Sequence, residues 1–186
     1  MKATEQLKEE HKAIKLMLEI LNKVCEKLES GKAVNPEHLE KIVEFIRVFA
    51  DRCHHGKEED LLFPAMEEAG IPRQGGPIGV MLLEHNMGRD YVKSLSDAVN
   101  KYKTGDRTIS DKIVENARNY IALLTPHINK EDNILYPMAD MRVPKEKQEE
   151  LLAEFEKVEN ERIGPGKHEE FHRLLHNLRE IYLGNS

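Results

Sequence analysis

The chain has 186 residues, a net charge of −6 at neutral pH and 33% charged side chains. Its length fits one domain with a substantial apolar core. The negative charge gives no support to binding of nucleic acid or of an anionic membrane surface, because both need a basic face. No apolar run approaches the roughly 20 residues of a membrane span. The two cysteines, Cys25 and Cys53, form no disulfide framework, so a reducing cytoplasm is the expected location.

Apolar residues recur at intervals of three or four through most of the chain, and this spacing predicts amphipathic helices. Glycines and an Asn-Pro pair mark where the helices end and begin. The four long predicted helices are, in chain order, Thr4 to Gly31, Asn35 to Glu68 with a kink near Pro64, Val80 to Gly105, and Ile109 to about Ile128 with a bend at Pro126.

The predicted fold class is all-α, an up-down-up-down four-helix bundle with additional C-terminal helices. Short links favour antiparallel neighbours, and no useful stretch alternates with the period of two expected of a strand. A loop rich in Gly and Pro separates two repeat-like halves, residues 1–70 and 77–140. Two further helices, Pro144 to Glu161 and Lys167 to Tyr182, form a helical extension over residues 144–183. The whole chain, residues 1–186, is predicted to be a single domain.

An eleven-residue pattern occurs twice and is the most informative feature of the sequence. The segment HHGKEEDLLFP begins at His54, and HINKEDNILYP begins at His127. Five of the eleven positions are identical, namely His, Lys, Glu, Leu and Pro. Each copy is preceded at nearly the same distance by a Glu-His pair that contains His11 or His85. The sequence therefore contains two copies of one His followed by His-x-x-x-Glu.

This spacing predicts a metal site. Residues four apart on an α-helix lie on the same face, so a His and the Glu four positions later can reach the same ion or adjacent ions. A neutral imidazole supplies nitrogen, and a carboxylate can bridge two cations. The mixture of nitrogen and oxygen donors suits iron, manganese or zinc. The candidate ligands are His11, His54, Glu58, His85, His127 and Glu131.

The region from Glu5 to Ala139 resembles the hemerythrin-like (HHE cation-binding) proteins. The resemblance rests on the HHxxEExxLFP segment and on the order H…HxxxE…H…HxxxE. It implies a four-helix bundle with a non-haem di-iron centre of the Fe–O–Fe type. It also implies that the six candidates are iron ligands, with Glu58 and Glu131 as the bridging carboxylates. Zinc or manganese remain alternatives to iron.

The sequence departs from the oxygen-carrying members at one position. Those proteins place a second His four residues after the His of the third helix, and here that residue is Arg89. The pattern is more similar to the symmetric four-His, two-Glu members, which are linked to iron sensing, nitrosative stress and iron–sulfur repair. A fifth His from outside the bundle, His168, is a further candidate ligand. The alternative is that His168 belongs to a helix that merely packs on the bundle.

Two neighbouring groups admit more than one interpretation. Glu59 and Asp132 lie one position beyond the candidate glutamates and are interpreted as solvated groups or as groups that orient a His N–H. His55 has a Glu four residues later, but the second copy has Ile128 at its position. His55 is therefore expected beside the site or at the surface.

The favoured function is that of a cytoplasmic di-iron protein that binds, senses or scavenges a small ligand: O2, NO or peroxide. A link to iron homeostasis or iron–sulfur repair follows from the resemblance. Two alternatives remain open: a di-iron oxidase or peroxidase, and a bundle whose metal ion only holds four helices together. Whether the protein is an enzyme is not decided by the sequence.

Overall fold

The chain folds almost entirely into helices in the computed structural model, which describes residues 1–184. No β-strand occurs in that range, and none of its helices is long and apolar enough to cross a lipid bilayer. The last two residues of the predicted domain, 185 and 186, lie outside the described part. The α-helices are α1 (Ala3–Glu29), α2 (Pro36–Phe45), α3 (Phe63–Glu68), α4 (Pro77–Lys103), α5 (Ser110–Lys130), α6 (Tyr136–Arg142), α7 (Lys145–Val158) and α8 (Lys167–Leu183).

The helix boundaries follow from local chemistry. The side chain of Asn35 accepts a hydrogen bond from the backbone N–H of Glu37, and Pro36 occupies the first turn of α2. After α1, Gly31 adopts a positive φ of 77°, which glycine tolerates without steric cost. The predicted helix starts and stops are therefore close to those observed, and α5 continues through Pro126.

The second long helix differs from the regular α-helix that the sequence predicts. Between α2 and α3 the backbone is π-helical over Ile46–His55 and again over Glu58–Leu62. The second repeat has one such segment, Glu131–Leu135, between α5 and α6. The short segment in each repeat directly precedes a turn with a proline, which cannot donate a backbone hydrogen bond. A π-helical turn is wider than an α-helical one, so it changes which side chains face the core.

The four-helix bundle predicted from the sequence is confirmed. Helix α1 packs on α5, α5 packs on α4, and α4 packs on α2. The π-helical segment Ile46–His55 contacts α1 and completes the ring of four. The C-terminal helices lie outside this ring, with α7 and α8 both packed on α1.

The bundle interior contains two apolar clusters rather than one. The larger cluster extends from Ala13 on α1 to Leu178 on α8. The smaller cluster lies toward the other end and includes Leu7, Phe63 and Phe155. Along each long helix, the candidate ligands stand between the residues of the two clusters. A layer of buried His and Glu side chains thus separates them.

Candidate metal centre

The six ligands predicted from the repeat lie together in the polar layer. One His comes from each of four helical segments: α1, the π-helical segment before Gly56, α4 and α5. The two Glu come from the π-helical segments that follow. All six side chains are at most 2% exposed; they are His11, His54, Glu58, His85, His127 and Glu131. Side chains of this type are almost never fully buried unless they are paired or bind a cation.

Each of the four histidines is held at Nδ1 by a carboxylate. The pairs and their N–O distances are His11 with Asp132 at 2.7 Å, and His54 with Glu10, His85 with Glu59 and His127 with Glu84, each at 2.9 Å. The carboxylate accepts a hydrogen bond from Nδ1–H, and this contact fixes the orientation of the ring. The lone pair of Nε2 is then left to coordinate a metal ion. The four imidazoles are thereby oriented as metal-binding histidines are.

The carboxylate of Glu58 spans two groups of histidines. Its Oε1 lies 3.7 Å from Nε2 of His54, and its Oε2 lies 3.3 Å from Nε2 of His85. One oxygen therefore faces the group formed by His11 and His54, and the other faces the group formed by His85 and His127.

Glu131 spans the same two groups from the opposite repeat. Its Oε2 lies 3.1 Å from Nε2 of His11, and its Oε1 lies 2.9 Å from Nε2 of His127 and 3.7 Å from that of His85. Both carboxylates thus present one oxygen to each histidine group. This arrangement is the one expected for two adjacent cations bridged by two carboxylates.

The donor atoms at the centre fit a metal ion. Although several of them lie close to one another, six buried atoms of these residues have no hydrogen-bond partner: Nε2 of His54, His85 and His127, Oε2 of Glu58, and both carboxylate oxygens of Glu131. Buried polar atoms without a partner are rare and costly. A cation coordinated by these nitrogen and oxygen atoms would satisfy all of them.

Without a cation, neighbouring carboxylates favour the protonated forms of His11 and His85. Burial alone would lower the pKa of His11, but Asp132 and Glu131 outweigh it and raise the pKa to about 9. Burial would also lower the pKa of His85, yet the neighbouring Glu131 and Glu58 raise it to about 11. Burial favours a neutral Glu131, but the surrounding histidines hold its pKa well below the usual range. The carboxylates at the centre therefore stabilise positive charge beside the histidines, whether protons or a metal cation carry it.

Two of the orienting carboxylates had been predicted and two had not. Glu59 and Asp132 contact His Nδ1 atoms, as one of the two interpretations of the sequence proposed. Glu10 and Glu84 do the same and were missed. The sequence does contain a signal for them: a Glu directly precedes the first candidate His of each copy, Glu10 before His11 and Glu84 before His85.

His55 lies inside the site and is not at the surface. It is 5% exposed, and its ring stacks on that of His85 with 3.9 Å between centroids. One ring nitrogen each of His55, His85 and His127 lie within 4.8 Å of one another. Burial, together with the charge of His85, holds the pKa of His55 well below its usual range. Ile128, at the same position of the second copy, is also buried, so this position faces the interior in both halves.

His168 lies in a different cluster from the six ligands predicted by the repeat. One of its nitrogens lies within 4.8 Å of carboxylate oxygens of Glu10 and Glu159. Its ring centroid is 5.0 Å from that of Phe49. Because Glu10 contacts Nδ1 of His54, His168 is one residue removed from the centre. The ammonium of Lys57 already supplies a cation to this cluster, 2.5 Å from Glu10 and 2.6 Å from Glu159.

Arg89 occupies the position where oxygen carriers have their additional histidine. Its Nε donates to both carboxylate oxygens of Asp51, at 3.0 and 3.1 Å, and its Nη2 contacts Glu59. Asp51 in turn contacts Nδ1 of His55 at 3.2 Å. Burial alone would raise the pKa of each carboxyl group, but a histidine and Arg89 lower both to about 2. Arg89 thus fixes the two carboxylates that orient His55 and His85.

A cavity of about 200 Å³ opens beside one of the histidine groups. His55 and His85 form part of its wall, and Arg89 lies at its edge. The rest of the lining combines the apolar residues Ile46, Gly88, Val92, Tyr120 and Leu124 with the charged residues Arg47, Asp51, Glu84 and Lys93. Sites for drug-sized molecules usually measure about 300–1,000 Å³, so this cavity suits a smaller ligand.

Comparison with known proteins finds distant relatives of this chain. The chain is 25% identical over 162 residues to uncharacterised proteins of Mycobacterium bovis and Mycobacterium tuberculosis, covering 87% of this chain and 63% of each relative. It is 32% identical over 125 residues to the iron-sulfur cluster repair protein YtfE of Edwardsiella ictaluri, covering 66% of this chain and 56% of that protein. The chain thus spans less than two thirds of the length of these relatives. No solved structure matches significantly.

The family comparison covers the bundle and leaves out the helices that follow it. Residues 2–139 match the hemerythrin HHE cation binding domain. The matched range contains all six ligands predicted from the repeat and ends before α7. The chain therefore belongs to the hemerythrin HHE cation-binding family.

Proposed function

We propose that this protein holds two iron ions and binds a small ligand, O2, NO or peroxide, at that centre. The observation that carries the proposal is that Glu58 and Glu131 each present one oxygen to each of two histidine groups. A single metal ion would not require two carboxylates that each face both histidine groups. Two adjacent cations would use every unpartnered donor atom of the layer.

Iron is the metal that the comparisons favour. The donor set of imidazole nitrogens and carboxylate oxygens is also compatible with zinc and manganese. The relative from Edwardsiella ictaluri is named for iron-sulfur cluster repair, which supports iron over the other two. When bound, an iron pair supplies reversible one-electron chemistry and coordination positions for a small ligand.

The protein's own side chains would control access and protons at the centre. Apolar clusters lie on both sides of the polar layer and would limit the access of water to it. The Tyr136 hydroxyl donates a hydrogen bond to Oε1 of Glu58 at 2.5 Å and also lies 3.3 Å from Nε2 of His11. Burial, with the nearby negative charge of Glu131, raises the pKa of Tyr136 well above its usual value, so this hydroxyl keeps its proton.

The cavity beside His85 supports a small ligand over an organic substrate. Its volume of about 200 Å³ accommodates a diatomic molecule or peroxide with room for water. Most of its wall is apolar, which favours weakly hydrated ligands. Azide, a small linear anion, is a convenient probe of access through this cavity.

The role in the cell is proposed to be iron homeostasis or iron–sulfur repair in the cytoplasm. The support is the iron-sulfur cluster repair for which one relative is named, and the similarity to symmetric four-His, two-Glu proteins. Oxidase or peroxidase turnover would be the alternative outcome, and catalytic consumption of peroxide by the loaded protein would establish it.

The decisive experiment is metal content per chain in protein produced with ample iron, measured by elemental mass spectrometry. We expect about two irons in the wild type and one or none in Glu58→Gln and Glu131→Gln. Glu68→Gln changes an exposed carboxylate on the same long helix and serves as the control. One zinc per chain, or unchanged iron in both ligand variants, would reject the dinuclear proposal.

Ligand access is tested at Gly88, which lies in the cavity wall. A Cβ added there would lie 3.5 Å from the Tyr120 ring, an ordinary contact, so Gly88→Ala is expected to fold and bind ligand normally. Gly88→Leu would fill part of the cavity. We expect slower azide and NO association in Gly88→Leu at unchanged iron content, measured by stopped-flow absorbance. Equal rates in both variants would place ligand entry elsewhere.

A further inference from the structure

We infer that His55 is a fifth histidine ligand, which makes the two metal positions chemically different. The inference rests on the proposed dinuclear centre and specifies its donors. One position would be served by His11 and His54, and the other by His85, His127 and His55. The repeat cannot supply this difference, because Ile128 stands where the second copy would need a histidine.

The first support is the position of the side chain. His55 is buried, and a ring nitrogen lies within 4.8 Å of ring nitrogens of both His85 and His127. A metal ion coordinated by His85 and His127 would therefore lie within reach of a third imidazole.

The second support is the contact at Nδ1. All four histidines predicted from the repeat have a carboxylate on Nδ1, and His55 has the same feature in Asp51, at 3.2 Å. This contact leaves Nε2 of His55 as the nitrogen that can coordinate a metal ion. A histidine that only filled space beside His85 would not need the same orienting partner as the ligands.

The third support is Arg89. Its guanidinium contacts Asp51 and Glu59, the carboxylates that orient His55 and His85. The two rings are thus held in one network, on one side of the centre. Arg89 stands where the oxygen carriers have their additional histidine. Through Asp51 it fixes the orientation of His55, a histidine from another helix.

The alternative role for His55 is ring stacking on His85, and His55→Phe distinguishes the two. Phenylalanine retains an aromatic ring against His85 but has no nitrogen donor. Changing residues that only orient a ligand typically costs about 10–100-fold in metal affinity, so removing a ligand should cost about 100-fold or more. We expect His55→Phe to hold about one iron per chain or to lose its second iron to a chelator much faster than the wild type. His172→Phe, at an exposed position on α8, is the matched control.

His55→Ala provides an independent measurement that does not depend on accommodating a phenyl ring. The deleted side chain borders the cavity, so free imidazole has room to enter. We expect added imidazole to restore the second iron and the wild-type absorption and Mössbauer spectra. No recovery is expected in Glu58→Gln, which lacks a carboxylate rather than an imidazole.

The outcomes separate this inference from the proposed function. Wild-type protein with fewer than two irons would overturn the dinuclear centre and the fifth ligand together. Two irons in the wild type, with His55→Phe equal to it in iron content, chelator resistance and Mössbauer spectrum, would overturn the role of His55 alone. Loss of the second iron in His55→Phe and its recovery with imidazole in His55→Ala would establish the ligand.

Discussion

The first half of the molecule contains a buried series of Lys–Glu–His contacts. The Nζ of Lys57 lies 2.5 Å from Glu10, which lies 2.9 Å from Nδ1 of His54. The Lys57 side chain is 0% exposed and has a second carboxylate partner in Glu159. Its ammonium also lies 5.5 Å from the centroid of the Phe155 ring.

The second half repeats this series with the same distances but in contact with solvent. The Nζ of Lys130 lies 2.5 Å from Glu84, which lies 2.9 Å from Nδ1 of His127. Here the lysine side chain is 37% exposed. The sequence repeat therefore determines the Lys–Glu–His distances in both halves. The exposure of the lysine to solvent depends on residues outside the repeat.

The C-terminal extension causes the difference. Helices α7 and α8 pack on α1, and Glu159 in the segment between them reaches Lys57 at the level of the polar layer. Interactions between charges are stronger where water is excluded, and an unpaired charge there is more costly. The comparison teaches that equal distances in the two halves do not imply equal energies.

The largest effect is expected from Lys57→Met compared with Lys130→Met. Lys57→Met would leave the carboxylates of Glu10 and Glu159 close together without their cation. Breaking a buried ion pair on one side costs about 3–5 kcal/mol, whereas an exposed pair contributes about 1 kcal/mol or less. Denaturant unfolding of both variants in the same metal state measures the free energies. Equal losses would show that the extension does not change the energetics of the first half.

A smaller effect is expected from Glu159→Gln. The amide cannot replace the negative charge beside Lys57, although it can still accept the hydrogen bond from Gln6 that Glu159 accepts at 3.0 Å. Hydrogen bonds to charged groups contribute about 1.5–3 kcal/mol, and Glu159 is 27% exposed, so a loss of about 1.5 kcal/mol in unfolding free energy is expected. Glu161→Gln, in the same segment and exposed, is the control. A loss of the same size in the control would assign the effect to the helix rather than to the contact with Lys57.

The smallest effect is expected from Tyr136→Phe, which makes the second repeat resemble the first at Phe63. The change removes the hydroxyl that donates to Glu58. In the iron-loaded protein the Glu58 carboxylate would share its charge with the metal, so its hydrogen bond should contribute no more than a neutral one, about 1 kcal/mol net. The unfolding free energy should fall by that amount. The absorption spectrum of the iron-loaded protein should also change, because Glu58 loses a partner. Tyr91→Phe on α4 is the control, and identical spectra for wild type and Tyr136→Phe would contradict the predicted contact with the centre.

The fold and the grouping of the six ligands could be predicted because they follow from periodicity and from the repeat. An apolar stripe specifies a helix face, and two copies of the same pattern identify the same positions twice. The position of His55 could not be predicted by that reasoning. His55 has no histidine counterpart in the second copy, where Ile128 is an apolar core residue, so the repeat assigns it no role. Its contacts with His85 and Asp51 follow from how the helices pack.

The sealed environment of Lys57 also could not be predicted from the repeat. Lys57 and Lys130 occupy equivalent positions of the two copies, and the local sequence does not indicate that only Lys57 is buried. The difference depends on where α7 and α8 dock, and a charged helix gives little indication of its packing partner. The same reason explains His168: its helix was predicted, but its neighbours Glu10 and Glu159 were not.

The layer between the two apolar clusters has a consequence for how the molecule opens. Helices and clusters that share few apolar contacts exchange their amide protons as separate cooperative units. Without a cation, the polar layer provides little apolar contact between the larger cluster and the smaller one. We expect the end that contains Leu7 and Phe63 to open more readily than the rest. A cation bound by residues from both repeats would join the two units into one.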